Sequence, residues 1–111
     1  MSFSLTLSHF GIFVTDINRM VDFYTRFLGF AVSDRGQNAK GEIVFMTRDP
    51  REHHQIVMAA GRPADLPFNV INQISLRVDS LGTLREIGDI GELARTESVL
   101  QSIGSASTAA G

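Results

Sequence analysis

The stretch LSHFGIFVTDINRMVDFYTRFLGF, Leu7 to Phe30, constrains the fold more than any other part of this chain. Leu5 to Val14 alternates loosely and is rich in Leu, Ile, Phe and Val, which predicts a strand. Successive strand residues face opposite sides. His9, Gly11 and Phe13 therefore share one face, and Phe10, Ile12 and Val14 share the other. Thr15 or Asp16 can cap a helix, because each carries an oxygen that accepts from the free N–H groups of a first turn. Ile17, Met20, Val21, Tyr24 and Leu28 then fall on one helical stripe, flanked by Phe23 and Phe27. Gly29 suits the left-handed position beyond a helix end. The stripe should pack on the Phe10, Ile12 and Val14 face, leaving His9 on the face away from the helix.

Three further strands are expected: Phe30–Ser33, Glu42–Thr47 and His53–Ala59. The polar run DRGQNAKG, Asp34 to Gly41, reads as a loop between the first two. Asp49-Pro50 marks a turn before the last. The segment AGRPADLP, Ala60 to Pro67, reads as a linker. A weaker copy of the opening unit follows, with a strand over Ile71–Val78 and a helix from about Leu81. Gln73 stands in it where His9 stood. These patterns predict an α+β protein. A βαβββ module covers residues 1–60, a linker 61–69, a partial second module of strand and helix 70–100, and a flexible tail 101–111.

Composition narrows the functional classes. With 10 basic and 12 acidic residues the net charge is −2, so no basic excess exists to neutralise a phosphate backbone, and nucleic-acid binding is not expected. No apolar run reaches the roughly 20 residues of a membrane span, and no signal-peptide pattern opens the chain. A cytoplasmic protein without a membrane partner is the expectation. The absence of cysteine excludes disulfides, zinc–thiolate sites and thiol nucleophiles. No Gly-rich phosphate loop or nucleophile-elbow serine is present.

The segments SHFGIFVTDINRMVDFYTRFLGF, the DP turn followed by EHHQIVMAAGRP, and NQISLRVDSLGTLREI together resemble the vicinal oxygen chelate superfamily. That superfamily includes glyoxalase I, type I extradiol dioxygenases and bleomycin-resistance proteins. The wording is most similar to catechol and dihydroxybiphenyl dioxygenases. The resemblance implies paired βαβββ modules whose curled sheets enclose a divalent metal. Carried over by position, the first-strand metal ligand falls on His9, the last-strand ligand of the first module on Gln55, and the first-strand ligand of the second module on Gln73. The strand bearing the final glutamate has no counterpart in this sequence. A His-Gln-Gln set lacks the carboxylate charge that iron or manganese sites use. Either the metal is absent, or a partner chain completes its site, or the chain is a truncated form of a longer protein.

Two readings stay open for each candidate. His9 is a metal ligand or a packed, hydrogen-bonded strand histidine. His53, expected to point with Gln55 into the cavity, is a catalytic acid–base group or an exposed residue beside the DP turn; His54 should face the other way. Phe13, Gln55 and Gln73 bind a ligand or merely line the sheet, and Phe45 and Met46 line a pocket or belong to the core. One module and a fraction cannot close a cavity, so a homodimer, possibly with swapped elements, is expected around a small aromatic molecule. The functions this leaves are a metal-dependent extradiol dioxygenase with a degraded metal site, and a metal-free dimeric binding protein of the bleomycin-resistance type.

Overall fold

The first strand, β1, runs Phe10–Val14 and is followed directly by helix α1, Ile17–Asp22. The computed structural model describes residues 2–96 and 105–110. Asp16 caps α1: its Oδ1 accepts from the Arg19 N–H at 3.1 Å. The helix then widens into a π-helical turn, Phe23–Phe27. Within it, the Thr25 hydroxyl donates to the Val21 carbonyl at 2.7 Å, an i−4 back-bond of the kind that bends helices. Gly29, at φ 76°, ends the segment, and the Phe30 N–H returns to the Tyr24 carbonyl at 3.0 Å. This closure spans seven residues, one more than the usual six-to-one bond, as the wider π-turn requires, and the left-handed residue past the helix permits it.

Three strands complete the first sheet: β2 over Ala31–Asn38, β3 over Gly41–Thr47 and β4 over Ile56–Ala60. Their order is β1-β4-β3-β2. β1 runs parallel to β4, pairing Phe10 with Ile56 and Val14 with Ala60, while β3 is antiparallel to both its neighbours. The expected order of strand, helix and three strands is therefore present. The residues read as a loop, Asp34 to Asn38, belong instead to β2, leaving only Ala39 and Lys40 as the turn. β2 is an edge strand, so its polar side chains meet water, and a composition that resembles a loop is compatible with pairing. Asn38 Oδ1 fixes the turn by accepting from the N–H groups of Lys40 and Gly41.

The core forms where α1 and the π-turn cover one sheet face. Ile12, Val14, Met20, Tyr24, Val44, Met46, Ile56 and Met58 are all buried there. Gly11 and Phe13 on β1 are exposed, whereas Ile12 and Val14 are buried, which matches the predicted facing. Met46, considered above as a pocket residue, is fully buried in this core.

β5, Gln73–Val78, and helix α2, Leu81–Thr96, restart the pattern. The Ser80 hydroxyl accepts from the Thr83 N–H at 3.1 Å and so caps α2. Within the segment expected to be a flexible tail, Ser105–Ala110 forms a strand, β6, parallel to β5. The physical reason is that β5 offers an unpaired edge whose backbone groups need partners. The rest of that segment, residues 101–104 and 111, lies outside the described residues, as do residues 97–100 of the expected helical extension.

Candidate functional site

The face of the first sheet turned away from α1 gathers three imidazoles, and a stapled return loop puts two of them there. Between β3 and β4 the chain reverses at Asp49-Pro50. The Thr47 hydroxyl donates to the Asp49 carbonyl and accepts from its N–H. Arg51 grips the Asp49 carboxylate with Nε and Nη2, at 3.0 and 2.9 Å. This grip, aided by the Arg51 backbone N–H, lowers the Asp49 carboxyl to a pKa of about 2. The loop closes through Gln55, whose N–H donates to the Met46 carbonyl and whose Oε1 accepts from the Arg48 N–H, both at 2.8 Å.

His53 and His54 sit on this loop. Their Nδ1 atoms are 2.8 Å apart, so one ring donates and the other accepts. His54 meets His9 edge-on, with ring centroids 4.2 Å apart, and lies 5.2 Å from the Phe45 ring. His53 is exposed and turns toward Asp34, with Nε2 3.7 Å from Oδ2. His9 precedes β1 by one residue, is exposed, and its Nδ1 shares a 3.0 Å hydrogen bond with the Ser8 hydroxyl. Partial desolvation, followed by the neighbouring His9 and His53 rings, holds the His54 pKa below its usual value.

The structure rearranges the sequence expectation here. Strand parity sent His53 inward and His54 away, but β4 begins only at Ile56. Both histidines precede it, so the alternation rule does not reach them. It is His54 that meets His9. Asp34, read from sequence as a loop residue, stands beside His53 because β2 extends through it. The Asp-Pro turn was the available signal, since residues next to such a turn need not yet follow strand geometry.

Phe13 is 53% exposed on the same open face, with the Lys40 ammonium 5.3 Å from its ring centroid. Gln55 is already engaged with the Arg48 N–H. Gln73 opens β5, is exposed, and donates to the Ser75 hydroxyl at 3.2 Å. Among the described residues, no group of three His, Asp or Glu side chains is arranged to hold a metal ion. The set of His9, Gln55 and Gln73 therefore does not fit a divalent metal: it offers one imidazole, no carboxylate charge, and an amide oxygen committed to the backbone. Among the described residues no helix is long and apolar enough to cross a membrane.

Comparison with known proteins gives a consistent placement. The family model described as the Glyoxalase/Bleomycin resistance protein/Dioxygenase superfamily matches residues 6–91. No curated protein matches by sequence. Among solved structures, the chain is similar to 2,2',3-trihydroxybiphenyl 1,2-dioxygenase from Sphingomonas wittichii strain RW1, with 23% identity and a TM-score of 0.47; 79% of this chain is covered. It spans only 30% of that dioxygenase. A fosfomycin resistance protein from Listeria monocytogenes, solved with Mn(II) and 1S,2S-dihydroxypropylphosphonic acid, is 16% identical with a TM-score of 0.58, covering 85% of this chain and 70% of that one. TnmS3, an antibiotic binding protein from Streptomyces sp. CB03234, is 17% identical with a TM-score of 0.54, covering 84% and 73%. The last two, with TM-scores above 0.5, show a shared fold.

Proposed function

The chain belongs to the Glyoxalase/Bleomycin resistance protein/Dioxygenase superfamily, and on that premise we propose that it handles a planar, catechol-type aromatic on the open face of its first sheet, in the manner of the extradiol ring-cleavage enzymes. The observation that carries this reading is the edge-on contact of His9 with His54 beside Phe45. An aromatic ring can lie against Phe45 and the exposed Phe13. The Nδ1 atoms of His53 and His54 are bonded to each other at 2.8 Å, which leaves the Nε2 of His54 to meet a substrate hydroxyl. The His54 imidazole then accepts a hydroxyl proton, the usual role of histidine near neutral pH. Asp34 orients His53 from behind.

Extradiol cleavage draws on a divalent metal such as iron or manganese. In this chain His9 would offer an imidazole, but the described residues do not complete such a site. The remaining donors would come from a second copy in a homodimer, paired module to module so that two open faces enclose one cavity. In that arrangement residues 1–60 carry the site, 61–69 link, and 70–100 add a partial second wall.

A second reading is favoured by Gln55, whose amide oxygen is already spent on the Arg48 N–H. In it the same face binds an aromatic ligand without metal. One experiment separates the two: titration with catechol, followed by NMR, with iron(II) and with a chelator. Both readings expect shifts at His9, His54 and Phe45. Iron-dependent oxygen uptake that His9→Ala abolishes supports ring cleavage, and chelator-insensitive binding without uptake supports the second reading. Absence of any shift on this face refutes both.

A further inference from the structure

A cleft lies away from the imidazole face. It has a volume of about 810 Å³ and runs between the end of the π-turn, the β1–β4 edge and the β5–α2 unit. Its wall includes Phe10, Phe27, Phe30, Ile56, Ile74 and Leu76. These are apolar groups in a volume range usual for small-molecule pockets. Phe10, Phe27, Ile74 and Leu76 are only partly buried, so water contacts apolar surface that a ligand could cover. Ile56 shows which face is involved: it points toward α1, opposite to the side that carries the histidines.

The polar groups at this cleft are unequal. Arg48 stretches along the Gly29 turn: a Cβ added to Gly29 would lie 3.7 Å from its Nε and 3.8 Å from its Nη2. Its guanidinium therefore lies beside Gly29. Neither Arg48 nor Arg77, the second arginine of the lining, has a carboxylate in salt-bridge range among the described residues. Of the two lining carboxylates, Asp79 already accepts from the Thr83 hydroxyl at 3.2 Å. Glu86 is exposed on α2 and, with Asp79, balances the two guanidinium groups in formal charge, so a preference for an anion rests on Arg48, which no carboxylate approaches among the described residues. Gln55 borders the cleft but faces it with its oxygen already bonded.

We propose that this cleft is a second binding site, specific for an apolar monocarboxylate whose hydrocarbon body covers the aromatic and aliphatic wall and whose carboxylate pairs with the Arg48 guanidinium. A guanidinium presents two parallel N–H donors, and a carboxylate accepts them with matched geometry. A neutral molecule of the same length covers the same wall but leaves that fork unanswered. The cleft therefore selects by charge at its mouth, and the apolar wall supplies the area.

The test compares octanoate with octanol on the intact chain by NMR titration. Octanoate is expected to bind saturably, to shift Phe27, Ile56 and Ile74, and to bind at least tenfold tighter than octanol. Arg48→Met should reduce octanoate to the affinity of octanol, and Arg48→Lys should retain part of the preference. Equal affinity for the two probes, no octanoate binding at millimolar concentration, or shifts confined to His9, His54 and Phe45 would each overturn the proposal. The comparison of probes on the unmodified chain decides the matter even if a variant does not fold. Catechol binding at the imidazole face is read on different resonances, so the two sites stand or fall separately.

Discussion

Tyr24 offers a clean measure of how well the first module is packed. It is 1% exposed, wedged edge-on between Phe23 and Phe30 with ring centroids 5.5 Å away in each case. Burial pushes its phenol from 10.0 up to about 12. The sign follows directly: the folded chain keeps the proton over a range in which the unfolded chain has lost it. The stabilising contribution is complete below pH 10 and is lost as pH rises toward 12. At 1.36 kcal/mol per pH unit, the full loss is about 2.7 kcal/mol, a large share of the roughly 5–15 kcal/mol typical of a domain. The chain has one tyrosine and no tryptophan, so tyrosinate absorbance reports Tyr24 alone. Urea unfolding at a series of pH values should show stability falling through this window, with the absorbance midpoint near 12. Tyr24→Phe isolates the contribution of this phenol: that variant should lose most of the alkaline slope. A midpoint near 10, or an unchanged slope in Tyr24→Phe, would refute the packing argument.

Other consequences are simpler to read. Asp16→Ala removes the side-chain cap of α1 and should cost about 1 kcal/mol in denaturant unfolding, whereas Asp16→Asn should be nearly neutral. Met58→Ala opens a cavity at a fully buried position and should destabilise by about 2–5 kcal/mol; a loss under 1 kcal/mol would mean that the core collapses around it. Asp49 titrates at about 2 because Arg51 grips it. Its stabilising contribution is therefore present above its ordinary value of 3.8 and disappears as pH falls toward 2. Arg51→Met removes the side-chain grip but keeps the backbone N–H bond, so it should raise the NMR titration midpoint of Asp49 part of the way back to 3.8.

Much of the first module was legible in the sequence because its rules are local. The alternation of Phe10 to Val14, the acid at Asp16, the stripe from Ile17 to Leu28 and the glycine at 29 each report on neighbours a few residues away. The structure contains all of them. β2 was shortened because its polarity reflects its place at the sheet edge, and edge position is a tertiary property. The meeting of His54 with His9 escapes strand parity for a related reason. Strand parity is valid only inside a strand, and the return loop bonded to Gln55 and Thr47 delays the start of β4. The meeting of His9 with His54 spans the whole module, so spacing alone could not display it. Ser105–Ala110 was read as a tail because small polar residues carry little pattern, yet its backbone pairs with β5.

The parallel ladder between β1 and β4 has a kinetic corollary. The strand made first finds its partner only when the module is almost finished, and the loop that must close spans nearly every residue between them. The β2–β3 hairpin, by contrast, can form across a two-residue turn as soon as it exists. Closing long loops is the slow step in small proteins, so the hairpin should assemble early and β1 should dock late. A nascent chain halted before Ile56 would hold Val14 and Met20 without the Met58 wall they pack against, and such a fragment should stay protease-sensitive until the final strand arrives.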